Sequence, residues 1–106
     1  MDDDLWSPEI GDDAGTVRAC LDGGRWYFLS RTHDERGTTV LLRSRYPGDE
    51  QWMTNFALSS ARPNLGDRLY GLVPRTWSRC RDLMAGEWDP SREEATVDAV
   101  ILGKLR

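Results

Sequence analysis

From Thr16 onward the chain alternates apolar and polar residues with a period of two. Val17, Ala19 and Leu21 interleave with Thr16, Arg18 and Cys20, the pattern of a half-buried strand. Asp22-Gly23-Gly24 follows, and such residues readily take the positive φ angles of a tight hairpin turn. Residues 25–31, Arg-Trp-Tyr-Phe-Leu-Ser-Arg, read as a second strand rich in aromatics. His33 to Gly37 is a polar turn, and Thr38 to Tyr46 a third strand stopped by Pro47-Gly48. Looser alternation over Gln51 to Leu58 predicts a fourth strand. Ser59 to Gly66 reads as a loop, and Leu69, Tyr70, Leu72 and Val73 as a short apolar run of undetermined type closed by Pro74.

The period then changes. Trp77, Cys80, Leu83 and Met84 recur at three- and four-residue steps, which predicts an amphipathic helix over about 76–86, with Gly86 as its stop. Two readings stay open for the last segment. Ser91 with Glu94 three residues on is a capping box and argues for a helix. The β-branched run from Thr96 to Leu102 argues for an apolar strand over about 95–102, and the strand is the expectation. The fold class is therefore α+β: one small domain over 16–106, built from an antiparallel β-meander, one amphipathic helix and a C-terminal strand. Residues 1–15 form an acidic leader, flexible or loosely docked.

Length bounds the answer, since 106 residues make one domain and exclude a (β/α)8 barrel or a full dinucleotide-binding fold. No run of eighteen apolar residues is present. Met-Asp-Asp-Asp is not the charged and apolar start of a signal peptide. Cys20 and Cys80 form no CxxC motif, so a reduced, cytoplasmic setting is expected, with both as small buried hydrophobes.

The net charge of −4 hides a division. Asp2, Asp3, Asp4, Glu9, Asp12 and Asp13 give the leader −6, while all fourteen basic residues fall in 16–106 with twelve acidic ones, leaving +2. Thirteen of those cations are Arg, whose planar fork suits carboxylates, phosphates and aromatic faces. GC-rich codon usage is the plainer explanation of that excess.

Candidate chemistry is sparse. The single histidine, His33, sits beside Asp34 in a turn with no nucleophile or oxyanion donor nearby in sequence. Gly23-Gly24 lacks the helix and Lys of a phosphate loop. Glu93 and Glu94 point to different faces of either element. The expectation is a non-catalytic protein with no metal and no cofactor.

Surface pattern says more. If Trp26, Phe28, Val40 and Leu42 face the core, the opposite face of the meander carries Arg18, Arg25, Tyr27, Arg31, Arg43 and Arg45. Its only acids, Asp22, Asp34 and Glu35, lie in turns. Such a face could bind an acidic protein, single-stranded nucleic acid or the chain's own leader. Five tryptophans are the second excess. Trp26, Trp77 and Trp88 are assigned to the core and Trp52 to neither side. Trp6, with Leu5 and the flanking Asp residues, either anchors a partner or folds back with Ile10 to close the core. The leading expectation is a small interaction module of inhibitor or immunity type, occluding a partner protein. Asp2, Asp3, Asp4, Leu5 and Trp6 would steer and anchor, and the Arg face would set register. A single-strand nucleic-acid binder is the alternative, and neither reading involves a membrane. A homo-oligomer stays open.

Overall fold

Gly23 and Gly24, at φ 62° and 76°, close the first hairpin by pairing Asp22 with Arg25. The computed structural model describes residues 2–62 and 64–85. Within them a five-stranded antiparallel sheet runs in chain order: β1 (Ile10–Gly11), β2 (Gly15–Asp22), β3 (Arg25–Asp34), β4 (Gly37–Arg45) and β5 (Met53–Ser60). The second hairpin turns at Asp34, whose Oδ1 accepts from the backbone N–H of Arg36 at 2.7 Å and of Gly37 at 3.2 Å. Two helices, α1 (Leu65–Arg75) and α2 (Trp77–Ala85), follow the meander. The α+β class and the meander stand. The C-terminal strand expected at 95–102, and Trp88, lie outside the described residues.

The expected loop is shorter than 59–66, since Ser59 and Ser60 end β5 and Leu65 and Gly66 already open α1, and the apolar run that follows is part of that helix. Leu65, Leu69, Leu72 and Val73 repeat at helical steps, a period masked in the sequence by Gly66, Gly71 and Pro74. Gly66 is needed for contact: a Cβ there would lie 2.7 Å from Thr38 Cγ2, so the helix settles directly on β4. Pro74 stands in the last turn of α1, where the chain is about to leave the helix anyway. Thr76 joins the two helices. Its N–H and hydroxyl both donate to the Leu72 carbonyl, at 3.0 and 2.6 Å, and its own carbonyl accepts from Cys80 N–H.

The core lies between the helices and one face of the sheet. Tyr27 and Leu29 of β3, Val40 and Leu42 of β4, and Phe56 and Leu58 of β5 meet Leu65, Leu69, Val73 and Trp77. Between Leu42 and Arg43 the β4–β5 register slips by a bulge: Phe56 pairs with Leu42, but Thr54 pairs with Arg43. Asn55 is the extra residue.

Among the leader residues, Trp6 takes the fold-back role. It is buried, its ring centroid 5.2 Å from that of Trp77 in an edge-to-face contact. Trp77 in turn meets Tyr27 at 4.7 Å. Ser7 stitches the segment to β2, donating its N–H to the Ala19 carbonyl at 2.7 Å and accepting from Ala19 N–H at 2.9 Å. Ile10 pairs with Val17. Leu5 and Ile10 stay exposed.

Two forces hold this segment, and their sizes differ. The Asp3–Arg18 and Glu9–Arg31 pairs involve half-exposed carboxylates, a class worth about 0–1 kcal/mol each. Burying an indole is worth several times that. Trp6→Ala is therefore expected to cost about 3–5 kcal/mol in urea unfolding, and Asp3→Asn no more than about 1 kcal/mol. Equal losses for the two variants would show that charge holds the leader.

Candidate functional site

Strand register decides which side chains can form a surface. Trp26 pairs with Arg45 and Phe28 with Arg43, and directly paired residues share a face. Cys20 pairs with Tyr27, and both are buried. The proposed Arg face is thus split. Arg43 and Arg45 lie on the side of the sheet away from the helices. Arg18, Arg25, Tyr27 and Arg31 belong to the phase that faces the helices, and Trp26 and Phe28 have traded places with Tyr27. The same inversion holds for β2, where Cys20 is buried and Leu21 is 50% exposed. The physical reason is that β3 is apolar on both faces, and β2 takes its phase from its pairing with β3. Alternation cannot tell inside from outside when both phases carry large hydrophobic groups.

Two of the displaced cations are held internally. Arg18 donates Nε to the Ser7 carbonyl at 2.8 Å and Nη1 to Asp3 Oδ1 at 3.1 Å. Arg31 bridges Glu9 at 3.1 Å and Asp67 at 3.2 Å, with its guanidinium 4.5 Å from the Tyr70 ring centroid. The acids missing from the meander come from the leader and from α1. Trp6 is likewise spent inside the fold. Leu5 and Asp4 remain exposed, and Asp2 opens the short 3-10 turn Asp2–Leu5. Asp22 is also internal: its Oδ2 accepts from Trp77 Nε1 at 2.8 Å and from Arg81.

The open face carries a different cluster. Phe28 lies against Trp26, centroids 6.2 Å apart, and meets Trp52 edge-to-face at 4.9 Å. The Arg43 and Arg45 guanidinium groups stand 5.3 and 4.6 Å from the Trp52 ring centroid, within cation–π range. Leu21 and Ile10 extend this surface along β2 and β1, and Trp26 and Trp52 are each more than a third exposed. The one acidic strand position on this face is Asp34, at the opposite end of β3 from Trp26 and occupied with the backbone of the β3–β4 turn. Among the described residues no carboxylate pairs with Arg43 or Arg45. Trp52 was the signal left unread, because its side of the sheet depends on the Asn55 bulge, which leaves no mark in the sequence.

Conventional chemistry is thin here. His33 is the next-to-last residue of β3, exposed, with Nδ1 2.8 Å from Thr38 Oγ1. The described residues contain no cluster of three or more potential metal ligands and no helix long and apolar enough to cross a membrane. No protein-family model matches the chain, and no curated protein or solved structure matches it either.

Burial pushes the Cys80 thiol up to about 12. Cys20 rises to about 12 as well, through burial first and then the neighbouring Asp22 charge. A raised thiol pKa favours the folded state below the ordinary thiol value, and that contribution fades as pH climbs from there toward about 12. Both thiols should therefore resist iodoacetamide at about pH 8, reacting only after denaturant unfolding. Rapid labelling of the folded chain, followed by mass spectrometry, would contradict this burial.

Proposed function

We propose that this chain is a non-catalytic interaction module, of inhibitor or immunity type, that docks a partner protein on the open face of its sheet. The observation that carries the reading is the Trp52 platform. Two guanidinium groups are stacked on one exposed indole, flanked by Phe28 and Trp26, with no carboxylate partner among the described residues. Trp and Arg are the residues that dominate binding energy at protein interfaces. Charge complementarity sets the occupant: a segment presenting acidic side chains to Arg43 and Arg45 and an apolar anchor to Leu21, Trp26 and Phe28. The leader then serves the module by closing its core, and its exposed acids keep a second face of opposite sign.

Single-stranded nucleic acid is the second reading, favoured by guanidinium groups lying beside exposed rings. The chain's net charge of −4 counts against it.

Peptide display against the full chain separates the two. Selected peptides should combine Asp or Glu with an aromatic or aliphatic anchor. Arg45→Glu should weaken the winners by about 100-fold, a loss of about 2.7 kcal/mol, and Arg75→Glu on α1 by less than about twofold. Fluorescence anisotropy with single-stranded oligonucleotides should show no saturable binding. Oligonucleotide binding that falls steeply with salt, alongside unbiased peptides, would replace the protein reading with the nucleic-acid one.

A further inference from the structure

Three arginines, Arg18, Arg25 and Arg31, take the helix-facing phase of β2 and β3. Arg18 and Arg31 receive carboxylates from the leader and from α1. Arg25 receives none among the described residues. Its Nε is buried without a hydrogen-bond partner, and its Nη2 donates to the Met53 thioether at 3.4 Å, a weak acceptor. The guanidinium lies 4.9 Å from the Tyr46 ring centroid. Tyr46 and Met53 are each half exposed, so a ring and a thioether stand open beside a half-buried charge. Leaving such a charge without a counter-ion is unfavourable.

This patch lies at the end of the sheet where Arg81 of α2 is anchored. Met53 pairs with Ser44, which is buried on the helix-facing side, and Arg25 pairs with Asp22. Asp22 in turn holds Trp77 and Arg81. Ala85 ends α2, one turn past Arg81 and about 6 Å further along the helix axis. The sequence that follows is Gly86-Glu87-Trp88-Asp89-Pro90: a helix-stopping glycine, an indole between two acids, then a turn-forming Asp-Pro pair. Asp89 is within about 14 Å of Ala85 even at full extension.

We propose that residues 86–89 turn back over this patch as a strap, with Trp88 packed on Tyr46 and Met53 and a flanking carboxylate, of Glu87 or Asp89, paired with Arg25. Charge complementarity and reach select this occupant. A tether of a few residues gives it an effective concentration on the order of millimolar, so a modest ion pair and one aromatic contact suffice. A separate anion lacks both the tether and the indole. The leader uses the same device, since Asp3 pairs with Arg18 while Trp6, three residues on, enters the core. The strap closes the helix-facing side and leaves the open face of the sheet unobstructed, so it is independent of what docks there.

The test is NOE spectroscopy on the full chain with carbon-13-labelled methionine methyl groups. Contacts between the Met53 methyl and the Trp88 indole are expected, unchanged on dilution. Limited chymotrypsin cleavage after Trp88 reads the ion pair, with the fold of each variant checked by near-UV circular dichroism. Arg25→Glu should speed that cleavage about fivefold or more, with Arg25→Lys close to the unmodified chain because it keeps the charge but loses the fork. Glu87→Arg or Asp89→Arg in the Arg25→Glu background should reverse the increase, and the one that does so identifies the paired acid. Arg75→Glu on α1 should change the rate by less than about twofold. The NOE arm needs no variant and decides the matter even if Arg25→Glu unfolds the chain. Trp88 contacts to Trp52 or Phe28 would place the segment on the open face, and contacts between differently labelled copies would make the occupant a second chain. Either result, the absence of Trp88–Met53 contacts, or a cleavage rate indifferent to Arg25→Glu in a folded variant would overturn the proposal.

Discussion

The pairing of β3 with β4 governs the rest of the molecule. With Leu29 opposite Leu42 and Phe28 opposite Arg43, one pleat phase goes beneath the helices and the other is turned outward. A slip of one residue would bring Trp26 and Phe28 to the helices and send Tyr27 and Leu29 out, forcing larger side chains into a packed core. Both hairpin turns oppose such a slip. Gly23-Gly24 sets the β2–β3 end, and the Asp34 carboxylate locks the β3–β4 end through two backbone N–H groups.

That constraint divides the charge as well. The helix-facing phase of β2 and β3 carries Arg18 and Arg31, which become useful only because the leader and α1 return acids to them. Electrostatics here follows topology: the acidic first residues and the basic sheet are joined within one fold, with Trp6 supplying the burial and the ion pairs supplying alignment. Arg43 and Arg45, left in the outward phase, have an indole in place of a counter-ion. The polarity visible in composition is therefore partly consumed inside the molecule and partly displayed.

Much of the architecture was legible because each strand ends in turn chemistry. Gly23-Gly24 and Pro47-Gly48 marked the meander, and the three- and four-residue spacing of Trp77 and Cys80 marked α2. Helix α1 was hidden by Gly66 and Pro74. Those residues break helices in isolation, yet here Gly66 permits contact with Thr38 and Pro74 occupies a terminal turn. Burial phase was legible on β4, where Val40 and Leu42 oppose Arg43 and Arg45 in character as well as in space. It was not legible on β3, where Trp26, Tyr27, Phe28 and Leu29 are all large and apolar. Trp6 could be placed only once the Trp77 pocket was known.

The bulge at Asn55 has a consequence for how this surface arose and how it can be altered. In a regular ladder continuing from the Leu42–Phe56 pair, Arg45 would face Met53, and Trp52 would fall one step further along, opposite Tyr46. The extra residue advances the upstream chain by one position, bringing Thr54 to Arg43 and Met53 to Ser44, and so carries the indole beneath the two guanidinium groups. Strand length acts here as a gearing. A single-codon deletion at position 55 would keep these pairs as a regular ladder, whereas letting Asn55 pair with Arg43 would carry Trp52 one step along and dismantle the aromatic platform without altering any residue that composes it, while the helix-covered half of β5, beyond Phe56, kept its place.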